Sequence, residues 1–270
     1  QNNTPLDIKV KESNVQKTAI VCCSDWHIGE DYDNEWGVYD SDIAKNRIEA
    51  YLAEVVTICN QNNVGNIVVC SVGDMLSGNI HHAIAVSNRE NVIEQIMLAA
   101  ELMKSFIESL CIHGYKVSFI NVAGNHTRIA KKDDSLKDER LDNLIGWYVN
   151  SHLKRYPNFN FIPTSECTLG EFEVYGNKYM CCHGDYDGFS KNGLANLVLS
   201  KGYKPTAIFF GHYHTMAMSD LYDVKLIRSG CLGGSGDDYT IQRRLKSKPS
   251  QTVVIADGNG VNTFYNVTLN

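Results

Sequence analysis

Five times along this chain an apolar, strand-like run stops at a residue able to bind a metal. "TAIVCC" leads into "SDWHIG" with Asp25 and His27, "NIVVCSV" into "GDM" with Asp74, and "KVSFINVA" into "GNH" with Asn125 and His126. "KYMCC" leads into "HGD" with His183, and "AIFF" into "GHYH" with His212 and His214. Each stretch alone is compatible with an ordinary turn, because Asp, Asn and Gly are common turn residues. The ordered set is harder to explain that way. Side chains at successive strand ends on one edge of a sheet converge on a common crevice. His and carboxylate donors suit Mn, Fe or Zn, and the absence of Cys from these five spots argues against a structural zinc site.

The segments between these runs predict how the strands are joined. Residues 42–63 carry Ile43, Ile48, Leu52, Val55, Val56 and Cys59 at helical spacing, with Asp42 as the expected cap. Residues 87–114 open on Ser87 and Glu90, read as a capping box, and stop at Gly114. The resulting β-α-β-α-β order implies parallel strands with helices on a face. A charged stretch, 128–143, leads into a helix near 141–154. Strand-like runs then dominate, at 158–163, 166–175, 178–183, 206–211, 224–229, 251–256 and 261–268, with one short helix near 190–200. These runs predict a layered α/β protein with two central sheets and helices outside.

Composition bounds the function. The 270 residues can bury a substantial core, and no linker or repeat divides them. One domain over 1–270 is expected, with 1–17 as an N-terminal arm. No apolar run approaches the roughly 18 residues of a membrane span, so no membrane partner is expected. The nine Cys include no C-x-x-C pair, and several sit inside strand-like runs (Cys22, Cys23, Cys70, Cys181, Cys182). That usage reads as reduced thiols in a cytoplasmic protein. A net charge of −6 argues against a strong non-specific grip on duplex DNA.

The succession D-x-H, G-D, G-N-H, H-G and G-H-x-H resembles the calcineurin-like metallophosphoesterase superfamily over about residues 18–230. The resemblance implies a four-layer αββα sandwich of two mixed β-sheets flanked by helices. It also implies two divalent metal ions, Mn2+ foremost, with Zn2+, Fe or Ni2+ as alternatives. Carried over, Asp25, His27 and His214 hold one metal, Asn125, His183 and His212 hold the other, and Asp74 bridges them. His126 is not a ligand by this reading; it touches the substrate phosphate or the leaving oxygen. The implied reaction is phosphoester hydrolysis by a hydroxide bridging the metals, and phosphodiesters are the expected substrates. In an extended segment His212 and His214 point the same way, ~6–7 Å apart. Spacing alone lets them share one metal or serve two; the resemblance assigns them to two. Gly211 is read as removing a side chain where the backbone comes close.

Two departures from the family pattern bear on substrate. Thr127 stands where an acid often follows G-N-H, so whatever orients His126 comes from elsewhere. "GDMLSGN" lacks the D-R-G continuation of protein Ser/Thr phosphatases, which disfavours phosphoproteins. His81 and His82, a few residues past Asp74, are reminiscent of the SbcD/Mre11-type nucleases. The basic run "IQRRLKSK" (Arg243, Arg244, Lys246, Lys248) reads either as solvated surface or as a phosphate-backbone contact. Trp26, Tyr32, Trp36 and Tyr39 read either as core or as stacking surfaces for a base. The acidic "EDYDNE" beside them opposes a long polyanion, and the Gly-rich "GCLGGSGDDY" is no phosphate loop without a strand-to-helix context. Nucleic acid is the expected substrate, with a nucleotide or cyclic nucleotide as the alternative. A non-catalytic scaffold is disfavoured, because it has no need of seven polar ligands in one crevice.

Overall fold

The computed structural model describes residues 15–80, 82–132 and 134–270, and only the backbone over 82–84. Most of the expected N-terminal arm, His81 and the His82 side chain therefore lie outside the described residues. The first half comprises β1 (Thr18–Cys23), β2 (Tyr32–Asn34), β3 (Gly37–Tyr39), α1 (Ser41–Gln61), β4 (Asn66–Val72), α2 (His82–Ser87), α3 (Val92–Ile112), β5 (Lys116–Val122), α4 (Asp142–Leu153) and β6 (Phe159–Ile162). The second comprises β7 (Leu169–Val174), β8 (Asn177–Cys182), α5 (Lys191–Lys201), β9 (Ala207–Phe210), β10 (Ala217–Leu221), β11 (Val224–Arg228), α6 (Asp238–Arg243), β12 (Ser250–Asp257) and β13 (Gly260–Thr268).

Two mixed sheets result. One has the order β13-β12-β1-β4-β5-β6, and the other β10-β11-β9-β8-β7. β1, β4, β5 and β6 run parallel, as do β8, β9 and β11, while β12, β13, β7 and β10 pair antiparallel. Strand alternation explains the layering, because successive side chains leave opposite faces. Ile20 and Cys22 of β1, with Val68, Cys70 and Val72 of β4, meet Tyr179, Cys181 and Phe209 of the second sheet. Their neighbours Ala19, Val21, Cys23, Ile67 and Val69 face α1, α3 and α4 through Tyr51, Val55, Phe106 and Ile145. Met180, Cys182, Ile208 and Phe210 turn outward onto α5 through Leu194. Both sheets are thus covered on both faces, and the expected αββα sandwich is observed.

Local details differ from expectation. Asp40, not Asp42, caps α1, accepting from Ile43 N at 2.7 Å. The capping box of α3 is Asn91 with Glu94, because residues 82–87 form the separate helix α2. β10, β2 and β3 were not predicted; β10 is largely exposed and carries no apolar alternation. The parallel core strands all end at one edge, and that edge carries the candidate ligands.

Candidate metal centre

All five polar stretches meet at this edge. The loops after β1 and β4 lie side by side, with Asp25 N donating to Gly73 O (3.1 Å), His27 N to Asp74 O (3.1 Å) and Ile28 N to Met75 O (3.0 Å). The loop after β9 joins them: His212 N donates to both carboxylate oxygens of Asp25 at 3.1 Å. A Cβ at Gly211 would overlap Ser24 Oγ and Asp25 Oδ2, so this approach requires glycine. Likewise a Cβ at Gly124 would overlap the Asp74 carboxylate. Gln251 of β12, fully buried, accepts from Ser24 N and donates to Ser24 O and Gly230 O, each at 2.9 Å, fixing the backbone just before Asp25.

The donor atoms form two clusters. In the first, His27 Nε2 and His214 Nε2 lie 3.1 Å apart, with Asp25 Oδ1 at 3.8 and 3.6 Å from them. In the second, His183 Nε2 lies 2.9 Å from Asp74 Oδ2, 3.1 Å from Asn125 Oδ1 and 3.2 Å from His212 Nδ1. Asp74 also comes within 4.8 Å of Asp25 and His27 donors, so it touches both clusters. His212 and His214 therefore enter different clusters. They do not do so from an extended segment: His212 (φ 70°) and His214 (φ 57°) are both left-handed, as are Asp25 (48°), His27 (45°) and Asp74 (53°). Non-glycine residues held in this region cost on the order of 1–3 kcal/mol each and gather at functional sites. The geometry that turns two neighbouring imidazoles inward is thus a strained turn rather than strand alternation.

The donor set fits cations. Asp74 Oδ2, His27 Nδ1 and His214 Nδ1 are buried with no hydrogen bond of good geometry among the described residues, although Asp74 Oδ2 is 2.9 Å from His183 Nε2. Imidazole nitrogens and carboxylate oxygens crowded this closely at one place are arranged for a shared positive partner. His183 donates through Nδ1 to Val72 O at 2.9 Å, which presents Nε2 to the cluster. Ligating imidazoles are commonly oriented in this way. Asp237 Oδ2 lies 3.7 Å from His214 Nδ1 and is placed to orient that ring.

His126 is set apart from both clusters. Its backbone N donates to Asp74 Oδ1 (2.8 Å), its Nδ1 donates to Ser77 O (2.8 Å), and its ring meets His27 edge-on at 4.6 Å. The backbone carbonyl of Ser77 thus does the orienting that an acid after G-N-H would do. Thr127 instead donates to Asp142 Oδ2 (3.0 Å) and Gly124 O (3.1 Å), and Gly124 N donates to the same Asp142 oxygen (2.9 Å). Asp142, at the start of α4, therefore shapes the G-N-H loop from a distance in sequence that no motif marks.

Ionisation follows from burial and from neighbouring charge. Burial opposes charge on Asp25, but the neighbouring imidazoles of His27, His183 and His214 outweigh it and lower its pKa to about 2. Burial likewise opposes charge on His27 and His183. Asp25 and Glu30 raise His27 to about 9, and Asp74 raises His183 to about 10. Burial lowers His126 to about 4, against the pull of Asp74. Burial lifts Glu30 to about 7 and Asp142 to about 6.

A cleft of about 390 Å³ opens over the clusters, and its walls include Asp74, Asn125, His126, His212 and His214 with Glu30, Asp237, Tyr239 and Arg243. Glu30 opens the acidic "EDYDNE" stretch, and Asp237 and Tyr239 close the Gly-rich "GCLGGSGDDY", but the sequence did not mark any of the three as part of the site. Cys231 also approaches His27 and His214, but its thiol donates to Asp25 O (3.2 Å) and burial keeps it protonated. Of the two readings of the aromatics after the first motif, the structure favours core over stacking, for none of them lines the cleft. Trp26 and Tyr39 are fully buried, and Tyr32 donates to Gly233 O at 3.0 Å. Trp36 lies under Lys246, whose Nζ is 5.5 Å from the ring centroid.

Residues 18–216 match the calcineurin-like phosphoesterase family. Among curated proteins the chain is similar to the SPbeta prophage-derived uncharacterized protein YonJ of Bacillus subtilis (strain 168), with 20% identity over 269 residues. That match covers 94% of this chain and 65% of the relative, so the chain spans less than two thirds of the curated protein's length. Among solved structures it resembles a novel archaeal phosphodiesterase (12% identity, TM-score 0.47, covering 93% of this chain and 99% of that one). It also resembles vacuolar protein sorting 29 of Cryptosporidium parvum (11% identity, TM-score 0.44, covering 94% and 99%). The family implies a site for two divalent metal ions, for which both clusters supply candidate ligands.

Proposed function

Because the chain belongs to the calcineurin-like phosphoesterase family, we propose that it hydrolyses phosphodiester bonds, with a nucleic-acid strand as substrate. In this reading Asp25, His27 and His214 hold one divalent cation, Asn125, His183 and His212 the other, and Asp74 both. The observation that carries it is the pair of donor clusters meeting at Asp74, with His126 alongside. Bound cations would supply the positive charge that attracts a phosphate and acidifies water for the attack. The chain's own residues supply position. Asp237 orients His214, and Val72 O orients His183. With Nδ1 committed to Ser77 O, His126 serves the substrate through Nε2. Burial keeps that nitrogen unprotonated until an anionic phosphate arrives and favours proton uptake there. A proton taken up from solvent onto Nε2 would then be donated to the departing oxygen.

The absence of the D-R-G arginine favours diesters over dianionic monoesters. A polymer is favoured by Arg243, which stands in the cleft wall and begins the basic run that continues through Arg244, Lys246 and Lys248. The acidic lining (Glu30, Asp237, Asp238) favours a second reading, a small nucleotide or cyclic-nucleotide diester. Assays with Mn2+ on single-stranded DNA, duplex DNA, bis-p-nitrophenyl phosphate and p-nitrophenyl phosphate separate these readings. Cleavage of the oligonucleotide and the diester above the monoester is expected. Fast hydrolysis of monoesters with oligonucleotides left intact would overturn the proposal. Strand binding should weaken as salt rises, by about 0.7 in the logarithmic slope per phosphate contact, and removing Arg243 and Arg244 should flatten that slope. Among the described residues no helix is long and apolar enough to cross a membrane. A cytoplasmic location remains part of this proposal.

Metal loading carries a pH signature. His27 and His183 are raised to about 9 and about 10 in the metal-free protein, so their contribution to stability is complete below the unfolded value of roughly 6.5 and is lost as pH climbs through 9 and 10. Coordination requires neutral imidazoles, so protons and cations compete. The melting temperature of metal-free protein should therefore fall from pH 6.5 toward 10, while the increment produced by Mn2+ grows over the same window. Thermal scans at fixed Mn2+ check both; an increment that shrinks with rising pH would contradict the ligand assignment.

A further inference from the structure

We infer that Arg243, propped on Tyr239, is a specificity-determining residue that takes a second phosphate of the substrate, one flanking the scissile bond. The inference rests on the phosphodiesterase reading and deepens it.

Helix α6 is pinned to the metal centre. Asp237 caps it, accepting from Thr240 N at 2.9 Å and from Thr240 Oγ1 at 2.7 Å, and the same carboxylate lies 3.7 Å from His214 Nδ1. Tyr239 follows two residues after Asp237, its ring 5.4 Å from His214. Arg243, one helical turn later, sets its guanidinium carbon 4.1 Å from the Tyr239 ring centroid. Residues four apart share a helix face, so the tyrosine supports the arginine from below. Among the described residues Arg243 makes no ion pair, although the acids Asp237 and Asp238 stand on its own short segment. It is exposed, and it lines the same cleft as His126 and His212.

A cation stacked on an aromatic ring keeps its N–H edge for an anion. Guanidinium is the group whose planar fork matches phosphate oxygens. Cations bound at the two clusters would supply the positive charge for the scissile phosphate. The anion left for Arg243 is therefore a neighbouring phosphate. A mononucleotide diester lacks that group and a polynucleotide supplies it at every step, so Arg243 would make the cleft favour chains over single nucleotides.

Two probes share one leaving group and differ only in this phosphate: thymidine 5′-(p-nitrophenyl phosphate) and its 3′-phosphorylated counterpart. With Mn2+-loaded protein the 3′-phosphorylated probe should show a kcat/KM about 10-fold or more higher, the scale of one charge-assisted hydrogen bond. The ratio should collapse toward one in Arg243→Ala and in Tyr239→Ala, and persist in Tyr239→Phe, which keeps the supporting ring. Calorimetry provides a readout independent of turnover. Thymidine 3′,5′-bisphosphate should bind loaded wild-type protein about 10-fold tighter than thymidine 5′-monophosphate, and equally in Arg243→Ala. Hydrolysis of both probes with a ratio near one, or a ratio unchanged by Arg243→Ala, overturns the inference and leaves the phosphodiesterase reading standing. Hydrolysis of neither probe overturns that reading, and the calorimetric ratio then decides the phosphate site by itself.

Discussion

Replacing His126 with alanine is expected to slow phosphodiester hydrolysis by about 10²–10⁴-fold while metal content stays at the wild-type level. The expectation follows from how the residue is held. Its backbone touches Asp74 and its Nδ1 is committed to Ser77 O, so the ring is fixed beside the clusters without entering either. On the proposed assignment, removing it takes away the proton partner of the leaving oxygen and no metal donor. The loss should be larger for a poor leaving group, such as a nucleoside alkoxide, than for p-nitrophenolate. Steady-state rates on both kinds of diester, with metal analysis of the same samples, check this. Wild-type rates on the alkoxide ester would remove His126 from the reaction.

Replacing Asp74 with asparagine is expected to reduce hydrolysis to background. Asp74 reaches donors of both clusters, so its charge bears on both proposed cation positions. Asparagine keeps the shape, and one oxygen can still accept from His126 N. Alanine goes further in the metal-free protein, where His183 is charged at neutral pH because Asp74 raises its pKa to about 10. Removing one partner of such a buried pair costs about 3–5 kcal/mol, so Asp74→Ala should also unfold more readily. Activity assays on Asp74→Asn and denaturant titrations on Asp74→Ala separate the two effects. Substantial Mn2+-dependent turnover in the asparagine variant would contradict the bridging role.

Much of this architecture was legible because its core strands are short, continuous apolar runs. β1, β4, β5, β8 and β9 are short apolar runs buried on both faces, and each ends where its polar motif begins. What escaped the sequence has two physical causes. Short elements such as α6 and β10 carry too few residues for a periodic signal and are held by their neighbours. Orienting groups need no motif at all: the Ser77 carbonyl is backbone, while Asp142, Asp237 and Gln251 reach the site from distant segments. For the aromatics of the first loop the sequence left core and stacking surface open, and Trp26 and Tyr39 take the core alternative.

The central claim is that one edge of the sandwich holds two cations through these seven side chains. Elemental analysis of protein loaded with Mn2+ and freed of excess metal tests it most directly. Two ions per chain are expected in the wild type, falling below two in Asp74→Asn and unchanged in His126→Ala. A wild-type plateau at one ion per chain, or at none, would contradict the account.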